Sequence, residues 1–360
     1  MTPTRRALVQ TGLAAALAGC GERRVQASQP RRRRPVSLKA VADCPVGTCL
    51  ATPNLQDPDF VALALRHFSQ ITPEWEMKME RVLGEDGGFN FDAADVLAQF
   101  CTRNGLRLHG TTLVWYAQDP IAFHRLADDR RAFENGYRNY ITAVVGRYRG
   151  LARGWDVLNE AVAEQGDGYR GGIWETALGP DYARLAFEIS READPDALRF
   201  INDYNLETNP AKLDAFQRLL EGLLRAGAPV SGIGTQTHLS IDMPPGQAGR
   251  AIKALASFGL PIHVSELDVS TRARGWFKGA DPDRLEKQAR VVGEVAEAFM
   301  ALPSAHRYAF TVWGLRDKDS WLRRGPDKGD GSDEPLLFDD RGVAKPAFDT
   351  LCQALAGQPV

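Results

Sequence analysis

The two residues of this chain best suited to do chemistry are Glu160 and Glu266. Each ends or nearly ends a run of β-forming residues, Trp155 to Glu160 in one case and His263 to Asp268 in the other. Glutamate is depleted from strands, and active sites of α/β barrels collect at the carboxyl ends of the strands. Two strands that each deliver a carboxylate there indicate paired acid–base chemistry. Cleavage of a glycosidic bond needs such a pair, one carboxylic acid to protonate the leaving oxygen and one ionised carboxylate.

The ends of the other predicted strands also carry polar and aromatic residues. Taken singly, each has an ordinary structural explanation, because a tryptophan usually packs in a core and a lone histidine usually makes a structural hydrogen bond. Seven strands that end in this way indicate one pocket, since a barrel brings these ends together. Grouped by strand, from the second to the eighth, these residues are Glu74 and Lys78; Trp115 and Gln118; Asn159 and Glu160; Asn202, Asp203 and Tyr204; Gln236 and His238; Glu266 and Asp268; and Trp313.

His238 is expected to hold the carboxylates of the seventh strand in place. Side chains alternate along a strand, so Gln236 and His238 share one side of the sixth strand, as Glu266 and Asp268 do on the seventh. Because these strands are neighbours, we expect His238 to bridge Glu266 and Asp268. Such a bridge keeps Glu266 ionised and oriented, as a nucleophile requires.

Eight predicted strands alternate with helical patterns after the first 36 residues. Strict alternation implies a parallel sheet, and eight units in roughly 320 residues fit a single (β/α)₈ TIM barrel, an α/β fold. A doubly wound open sheet is the competing fold, and it would be favoured by a glycine-rich turn after the first strand, which the sequence lacks. The predicted strands are Val46–Ala51, Phe68–Thr72, Leu106–Trp115, Gly154–Leu158, Leu198–Ile201, Gly232–Gln236, Ile262–Leu267 and Tyr308–Trp313.

Three of the helical patterns are especially clear. One places apolar residues on one face from Phe133 to Tyr148, the second runs from Leu213 to Leu224, and the third covers Asp281–Met300. We expect residues 37–360 to form one catalytic domain, with no second domain.

The N-terminus predicts export. Residues 1–19 combine the twin arginine Arg5-Arg6 with an apolar run too short to span a bilayer, the pattern of a signal peptide and of the twin-arginine route. Leu17-Ala18-Gly19-Cys20 resembles a bacterial lipoprotein box, in which Cys20 is lipidated; a plain signal peptide with an incidental cysteine is the alternative. We therefore expect an exported protein, periplasmic or on the cell surface, that contacts a membrane only through its lipid anchor. The sequence leaves open which membrane holds it.

Residues 20–36 form a polar, arginine-rich tether. The default explanation of the run Arg31–Arg34 is a solvated segment, and contact with anionic lipid head groups near the anchor is the functional alternative. The formal net charge of the 360-residue chain is −2, which does not indicate nucleic acid as a partner. No cysteine or histidine spacing is typical of a metal site, so no metal or other cofactor is expected, and the protein is expected to be a monomer.

The disulfide state of four cysteines, Cys44, Cys49, Cys101 and Cys352, stays open at this point. If the segment between Cys44 and Cys49 is extended, the two lie about 16 Å apart, beyond the ~7 Å limit for a bridge. A turn there would remove this objection.

From about Val46 to Leu351 the sequence resembles glycoside hydrolase family 10, the (β/α)₈ endo-β-1,4-xylanases. The resemblance is highly specific, because it rests on many motifs that occur in the same order as in the family. They are Thr72-Pro73-Glu74, Met77-Lys78, Thr112-Leu113-Val114-Trp115, Trp155–Glu160, Ile201–Asn205, Gly232-Ile233-Gly234, Gln236 with His238, Ser265–Asp268, Thr311–Gly314, Asp317-Lys318 with Ser320-Trp321, and Pro335–Asp339.

The resemblance implies a role for each of these site residues. Glu160 would be the general acid/base, Glu266 the nucleophile of a configuration-retaining reaction, and Asn159 a hydrogen-bond partner of the sugar 2-hydroxyl. Asp268 would support the nucleophile. The substrate-binding residues implied by the family, with Tyr204 added from its position at a strand end, are Glu74, Lys78, Trp115, Gln118, Asn159, Tyr204, Gln236, His238, Trp313 and Trp321.

The sequence departs from the family pattern at three positions. Trp75 stands where the family has asparagine, Thr111 where it has histidine, and Tyr116 replaces a common histidine. The family residues at the first two positions contact sugars on the non-reducing side of the cleavage point.

From the resemblance we expect hydrolysis inside xylan or xylo-oligosaccharide chains, and from the departures a different or decorated β-glycan as the alternative. A surface glycan-binding lipoprotein that has lost turnover is the alternative from another class. Transfer of the sugar to another sugar instead of water also stays open.

Overall fold

Eight parallel strands pair in sequence order and close into a barrel. The ring closes where the last strand pairs with the first and with the seventh, so that Phe310 lies opposite both Val46 and Val264. The other neighbours are also parallel. The strands are β1 (Val46–Leu50), β2 (Gln70–Pro73), β3 (Arg107–Gly110), β4 (Ala152–Asn159), β5 (Leu198–Asp203), β6 (Gly232–Thr235), β7 (Ile262–Ser270) and β8 (Arg307–Val312). This closure confirms the predicted (β/α)₈ barrel and excludes an open doubly wound sheet.

One long helix follows each strand. These helices are α1 (Pro58–His67), α2 (Asp92–Asn104), α3 (Arg130–Arg147), α4 (Tyr182–Ala193), α5 (Pro210–Arg225), α6 (Gln247–Ala256), α7 (Arg284–Met300) and α8 (Pro346–Leu355). Shorter helical segments lie at Leu38–Val41, Thr52–Gln56, Met79–Val82, Ile121–His124, Gly172–Leu178, Ser304–His306, Asp317–Asp319 and Trp321–Arg323. Across the described residues, none of the helices combines the length and apolarity that a bilayer span needs.

The structure is a computed structural model that describes residues 36–118, 120–272, 281–324 and 331–360. Residues 36–360 form one compact unit. The predicted signal peptide, the lipidation site at Cys20 and the tether up to residue 35 lie outside the described residues.

Local sequence signals explain where the helices begin. The Asp57 side chain accepts hydrogen bonds from two backbone N–H groups in the first turn of α1, and Asp129 does the same for α3. Asn209 caps α5, whose first residue is Pro210. Such caps satisfy backbone donors that a helix leaves unpaired at its start. The sequence therefore fixes the first residue of these three helices.

The helix faces follow the predicted periodicity with one exception. The face of α3 from Phe133 to Val145 is buried, and so is Tyr148 just beyond its end. On α5 the expected core residue Leu224 is exposed, whereas Lys212 is fully buried because it pairs with carboxylates inside the protein. The third predicted helix begins at Arg284, three residues later than expected.

The prediction of one continuous strand over Leu106–Trp115 is wrong in its centre. β3 ends at Gly110, and pairing with β4 resumes only at Val114–Trp115. In between, the Thr112 hydroxyl donates to the backbone carbonyl of Asp156 at 3.1 Å, a local bond that competes with the regular ladder. A second short extension, His238–Ser240, pairs with β7 beyond the end of β6.

The cysteines left open by the sequence are all free. Cys49, Cys101 and Cys352 are buried, and Cys44 is half-buried. Burial raises the pKa of the Cys44 thiol to about 11 and that of Cys101 to about 12. These thiols therefore stay protonated and act as small apolar core residues.

Gly234 on β6 makes room for a neighbouring polar side chain. A β-carbon at this position would lie 2.3 Å from the Oδ1 atom of Asn202 on β5. Because strand neighbours fix the position of Asn202 tightly, no residue with a side chain fits here without displacing it. Gly222 in the last turn of α5 is the opposite case, with nothing within 4 Å of an added β-carbon.

Gly234→Ala is expected to lower the free energy of unfolding by about 1–3 kcal/mol, because it overpacks the barrel interior. Gly222→Ala is the matched control and is expected to raise it by up to about 1 kcal/mol, since alanine has the higher helix propensity. Urea unfolding of both variants checks this. Equal effects of the two substitutions would contradict the packing argument.

Candidate active site

Glu160 directly follows β4 at the mouth of the barrel, with its backbone in the left-handed region at φ 54°. This conformation is costly for a residue other than glycine, and it is held by a backbone hydrogen bond of 2.8 Å to the carbonyl of Asn202. The carboxylate accepts hydrogen bonds from the indole N–H of Trp115 at 2.8 Å, the amide of Gln236 at 3.0 Å and the amide of Asn159 at 3.2 Å. Both oxygens of Glu160 are therefore oriented by side chains from three different strand ends.

Glu266 lies on β7 and is only 8% exposed. Its Oε1 atom accepts a hydrogen bond of 2.9 Å from the amide of Asn202, and its Oε2 atom lies 3.5 Å from Nε2 of His238. The buried carboxylate of Glu266 is thus held in one orientation, by the neutral amide of Asn202 on one oxygen and by the imidazole of His238 on the other.

Asn202, at the end of β5, connects the two glutamates. Its amide nitrogen donates to Oε1 of Glu266 and to Oδ1 of Asn159, each at 2.9 Å, while its own oxygen accepts from the hydroxyl of Ser265 at 2.8 Å. Since Asn159 in turn donates to Glu160, one hydrogen-bonded path runs from one carboxylate to the other. Two amide side chains thus couple the positions of the two glutamates.

His238 lies between two carboxylates, as the sequence predicted. Its Nε2 faces Glu266 and its Nδ1 lies 3.0 Å from Oδ2 of Asp268. Burial alone would lower the pKa of His238, but the charges of Asp268 and Glu266 outweigh it and raise this pKa to about 10. His238 therefore carries a positive charge at neutral pH.

Trp313 and Trp321 lie on the same side of the mouth as His238. The Trp321 indole N–H donates to Asp268 at 2.7 Å, and its ring meets the imidazole edge-on with centroids 5.2 Å apart. Trp313 also meets His238 edge-on, at 6.5 Å. These two rings confine His238 and give this side of the mouth an aromatic surface, which suits the apolar face of a sugar.

On the opposite flank, Lys78 lies between two indole rings. Its ammonium nitrogen is 4.3 Å from the centroid of Trp75 and 5.0 Å from that of Trp115. Glu74 is buried beside it and is bound by Arg324, whose Nη2 atom lies 2.8 Å and 3.1 Å from the two carboxylate oxygens. Burial raises the pKa of Glu74, and Arg324 and Lys78 offset this only in part.

A second group of charged and aromatic residues follows β5. Tyr204 accepts a hydrogen bond from Arg170 at 3.1 Å, and the ammonium of Lys212 lies 3.3 Å from its ring centroid. Arg170 also stacks on Tyr116, 4.2 Å from that ring centroid. Lys212 pairs with Asp203 at 3.0 Å; burial raises the pKa of Asp203 to about 6 against the opposing charge of this lysine. The tyrosines are therefore held rigidly beside the site.

Most of the predicted site residues meet around Glu160 and Glu266. The side chain of Gln118 is fully buried, and its amide has no hydrogen-bond partner among the described residues. Thr111 is also buried, at 3% exposure, whereas Trp75 is 39% exposed. The sequence predicts Asn202 only as a polar residue at a strand end. It gives no indication that Arg324 or Arg170 belongs to the site.

One group of potential metal ligands lies deeper in the described part of the barrel: His109, Asp156 and His263. His109 lies 3.1 Å from Asp156 and from the hydroxyl of Tyr308, and His263 contacts the hydroxyl of Thr311 at 2.8 Å. Nε2 of His109, Oδ1 of Asp156 and Nδ1 of His263 make no hydrogen bond with a described residue, although the first two face each other. The three residues therefore act as a buried polar core beneath the mouth.

A barrel with two hydrogen-bonded glutamates at the carboxyl ends of β4 and β7 defines the class of a barrel glycosidase. Comparison with known proteins supplies the family. The sequence model of glycosyl hydrolase family 10 matches residues 37–354. The chain therefore belongs to this family.

Individual relatives agree with this assignment. Endo-1,4-beta-xylanase A of Caldicellulosiruptor sp. (strain Rt8B.4) is 35% identical over 321 residues, 84% of this chain and 45% of that protein. Endo-1,4-beta-xylanase A of Caldicellulosiruptor saccharolyticus is 35% identical over 298 residues, 79% of this chain and 86% of that protein. The solved family 10 structure from Paenibacillus barcinonensis superposes with a TM-score of 0.83 at 32% identity, covering 91% of this chain and 99% of that one. The chain thus spans less than half of the first relative's length.

The charged state of His238 predicts a pH dependence of stability. Because its pKa in the folded protein is about 10 and thus above its ordinary value of 6.5, its contribution to stability is complete below pH 6.5. That contribution is lost as the pH rises through 10. We expect the free energy of unfolding to fall between pH 6.5 and 9.5 more steeply in the wild type than in His238→Gln.

Urea unfolding at pH 6 and pH 9.5 measures this difference. His306→Gln, at the opposite end of the barrel just before β8, controls for loss of an imidazole. Parallel pH profiles of wild type and His238→Gln would show that the two carboxylates do not hold the charge on His238.

Proposed function

We propose that this chain hydrolyses internal β-1,4 linkages of xylan or xylo-oligosaccharides with retention of configuration. The observation that carries the proposal is the hydrogen-bonded path from Glu160 through Asn159 and Asn202 to Glu266 at the mouth of the barrel. It keeps two carboxylates in a fixed relation, one half-buried and one nearly buried. The relatives named endo-1,4-beta-xylanase support xylan as the substrate.

In the first step, the carboxylate of Glu266 attacks the anomeric carbon while Glu160 transfers its proton to the leaving oxygen. The bond from the anomeric carbon to that oxygen breaks, and a covalent glycosyl ester forms on Glu266. In the second step, Glu160 removes a proton from water, the water oxygen attacks the anomeric carbon, and Glu266 leaves. A retaining reaction requires the two carboxyl groups to lie about 5–5.5 Å apart.

Neighbouring residues have defined parts in these steps. The hydrogen bonds from Trp115 and Gln236 orient Glu160 toward the leaving oxygen. The positive charge of His238 beside Glu266 favours its ionised form before attack. Asn159, which lies between the glutamates, is placed to donate to a sugar hydroxyl once a substrate is bound.

A decorated β-glycan is the second candidate substrate. The observation that favours it is Trp75, an exposed ring at a position where the family resemblance predicts asparagine. This ring changes the surface that a sugar chain meets on the flank of Glu74.

The proposal also includes export and anchoring. The apolar run and the lipoprotein-like Leu17-Ala18-Gly19-Cys20 support a protein that is lipidated at Cys20 and tethered outside the cytoplasm by residues 20–36. A polysaccharide substrate is too large to enter a cell, which agrees with this location.

Glu266→Ala is expected to abolish hydrolysis of xylohexaose, and Glu160→Ala to lower it by about 10²–10⁴-fold, the usual contribution of a general acid. With a dinitrophenyl β-xylobioside, whose leaving group needs no proton, Glu160→Ala should release a burst of dinitrophenol and then turn over slowly. Added azide should restore its turnover, because azide needs no general base.

Glu221→Ala, an exposed glutamate on α5, is the matched control and should keep wild-type rates. Hydrolysis of xylohexaose by Glu266→Ala at wild-type rates would refute the nucleophile assignment. Binding of the oligosaccharide without cleavage by wild-type protein would instead indicate a glycan-binding protein.

Cys20→Ala is expected to move the protein from the membrane fraction to the soluble fraction of the cell envelope. Fractionation of producing bacteria, with labelled palmitate to detect lipidation, measures this. A wild-type protein that is soluble and unlabelled would contradict the anchor and leave a plain signal peptide.

A further inference from the structure

A groove with a volume of about 520 Å³ lies beside the flank of Glu74 and Lys78. It is bordered by Thr52 from the loop after β1, by Trp75 and Arg81 from the segment after β2, and by Arg324 from the loop after β8. Its volume is within the range of small-molecule sites, roughly 300–1,000 Å³. None of the catalytic steps described above uses it.

A series of contacts connects the groove with the catalytic centre. Trp115, which donates to Glu160, contacts Lys78, and Lys78 contacts the Trp75 ring that forms one wall of the groove. The groove therefore lies on the flank of the mouth that carries these two indole rings. Trp75 offers its exposed ring as a stacking surface for a sugar.

Arg324 presents unused donors to this groove. Its Nη2 atom bonds Glu74 and, at 2.6 Å, the backbone carbonyl of Asp319. Its Nη1 and Nε atoms, which carry three of the five guanidinium N–H groups, bond no described residue. The side chain is 48% exposed. Among the described residues, Arg324 is thus held through Nη2 alone.

The groove carries two carboxylates, Glu76 and Asp92, and two arginines. Arg81 is exposed and forms no ion pair with a described residue. The carboxylate of Glu76 already accepts the backbone N–H groups of Thr52 and Trp75, and Asp92 lies in the first turn of α2, where the helix dipole stabilises it. Arg81 is therefore the group in the groove whose charge is least compensated, while Arg324 shares its charge with the buried carboxylate of Glu74 and keeps an exposed guanidinium edge.

We propose that this groove binds a carboxylate-bearing sugar branch of the substrate, of the uronic acid class, with Trp75 stacking on its ring and Arg324 and Arg81 binding its carboxylate. The inference rests on the proposed function, because it assigns a decoration to the β-glycan that the catalytic site cleaves. Trp75 and Arg324 then act as specificity-determining residues.

The test compares three oligosaccharides of equal length with the full-length protein: unbranched, with one glucuronosyl branch, and with that branch reduced to neutral glucosyl. In the wild type, kcat/KM for the acidic substrate should exceed that for its neutral counterpart by about 3–10-fold, as expected for partly exposed ion pairs. The ratio should fall toward 1 at 0.5 M salt. Arg324→Gln and Arg81→Gln should each reduce this ratio, whereas Arg225→Gln, at the end of α5, should not.

A ratio near 1 in the wild type, or an unchanged ratio in both groove variants, would overturn the proposal, and so would a preference for a neutral branch. Activity on the unbranched substrate with no acid preference would overturn the inference alone. Failure to cleave all three would count against the proposed function. Calorimetric binding of the acidic and neutral oligosaccharides would then test the groove by itself, with tighter binding of the acidic one expected.

Discussion

The active centre depends on the amide of Asn202. Its nitrogen donates to Glu266 and to Asn159, which in turn donates to Glu160, so the two carboxylates are positioned by one pair of amides and not by separate loops. Asn202 can do this because Gly234 leaves space for it and Ser265 fixes its oxygen. Both supports come from strands, which are the most rigid elements available to a barrel.

The charge on Glu266 has a separate support. A carboxylate at 8% exposure loses hydration, and His238 compensates for this loss with a positive charge that is itself held by Asp268. The indole N–H of Trp321 completes the series by donating to Asp268. Orientation through Asn202 and charge through His238 thus reach different oxygens of the same glutamate, which lets the site keep the geometry and the ionisation of its nucleophile together.

The sequence predicted the barrel, its eight strands and the meeting of Glu160, Glu266 and His238, because these depend on local periodicity and on which end of a parallel strand a residue follows. It did not predict Arg324 beside Glu74, since 250 residues separate them and only the loop after β8 brings them together. It placed Leu224 in the core by periodicity, but Leu224 is exposed and the polar residue Lys212 shares the buried face of α5, where it pairs with Asp203. Hydrophobic periodicity carries no information about ion pairs between different elements.

Two of the three departures from the family pattern, Thr111 and Trp75, differ in their exposure. Thr111 is buried in the break between β3 and its short extension. Trp75 is exposed and contacts Lys78, which shares that contact with Trp115 next to Glu160. Trp75 is therefore connected to the catalytic acid through two intermediate residues, Lys78 and Trp115. Of the two substituted positions, 75 is the one that offers a large exposed surface on this flank of the cleft.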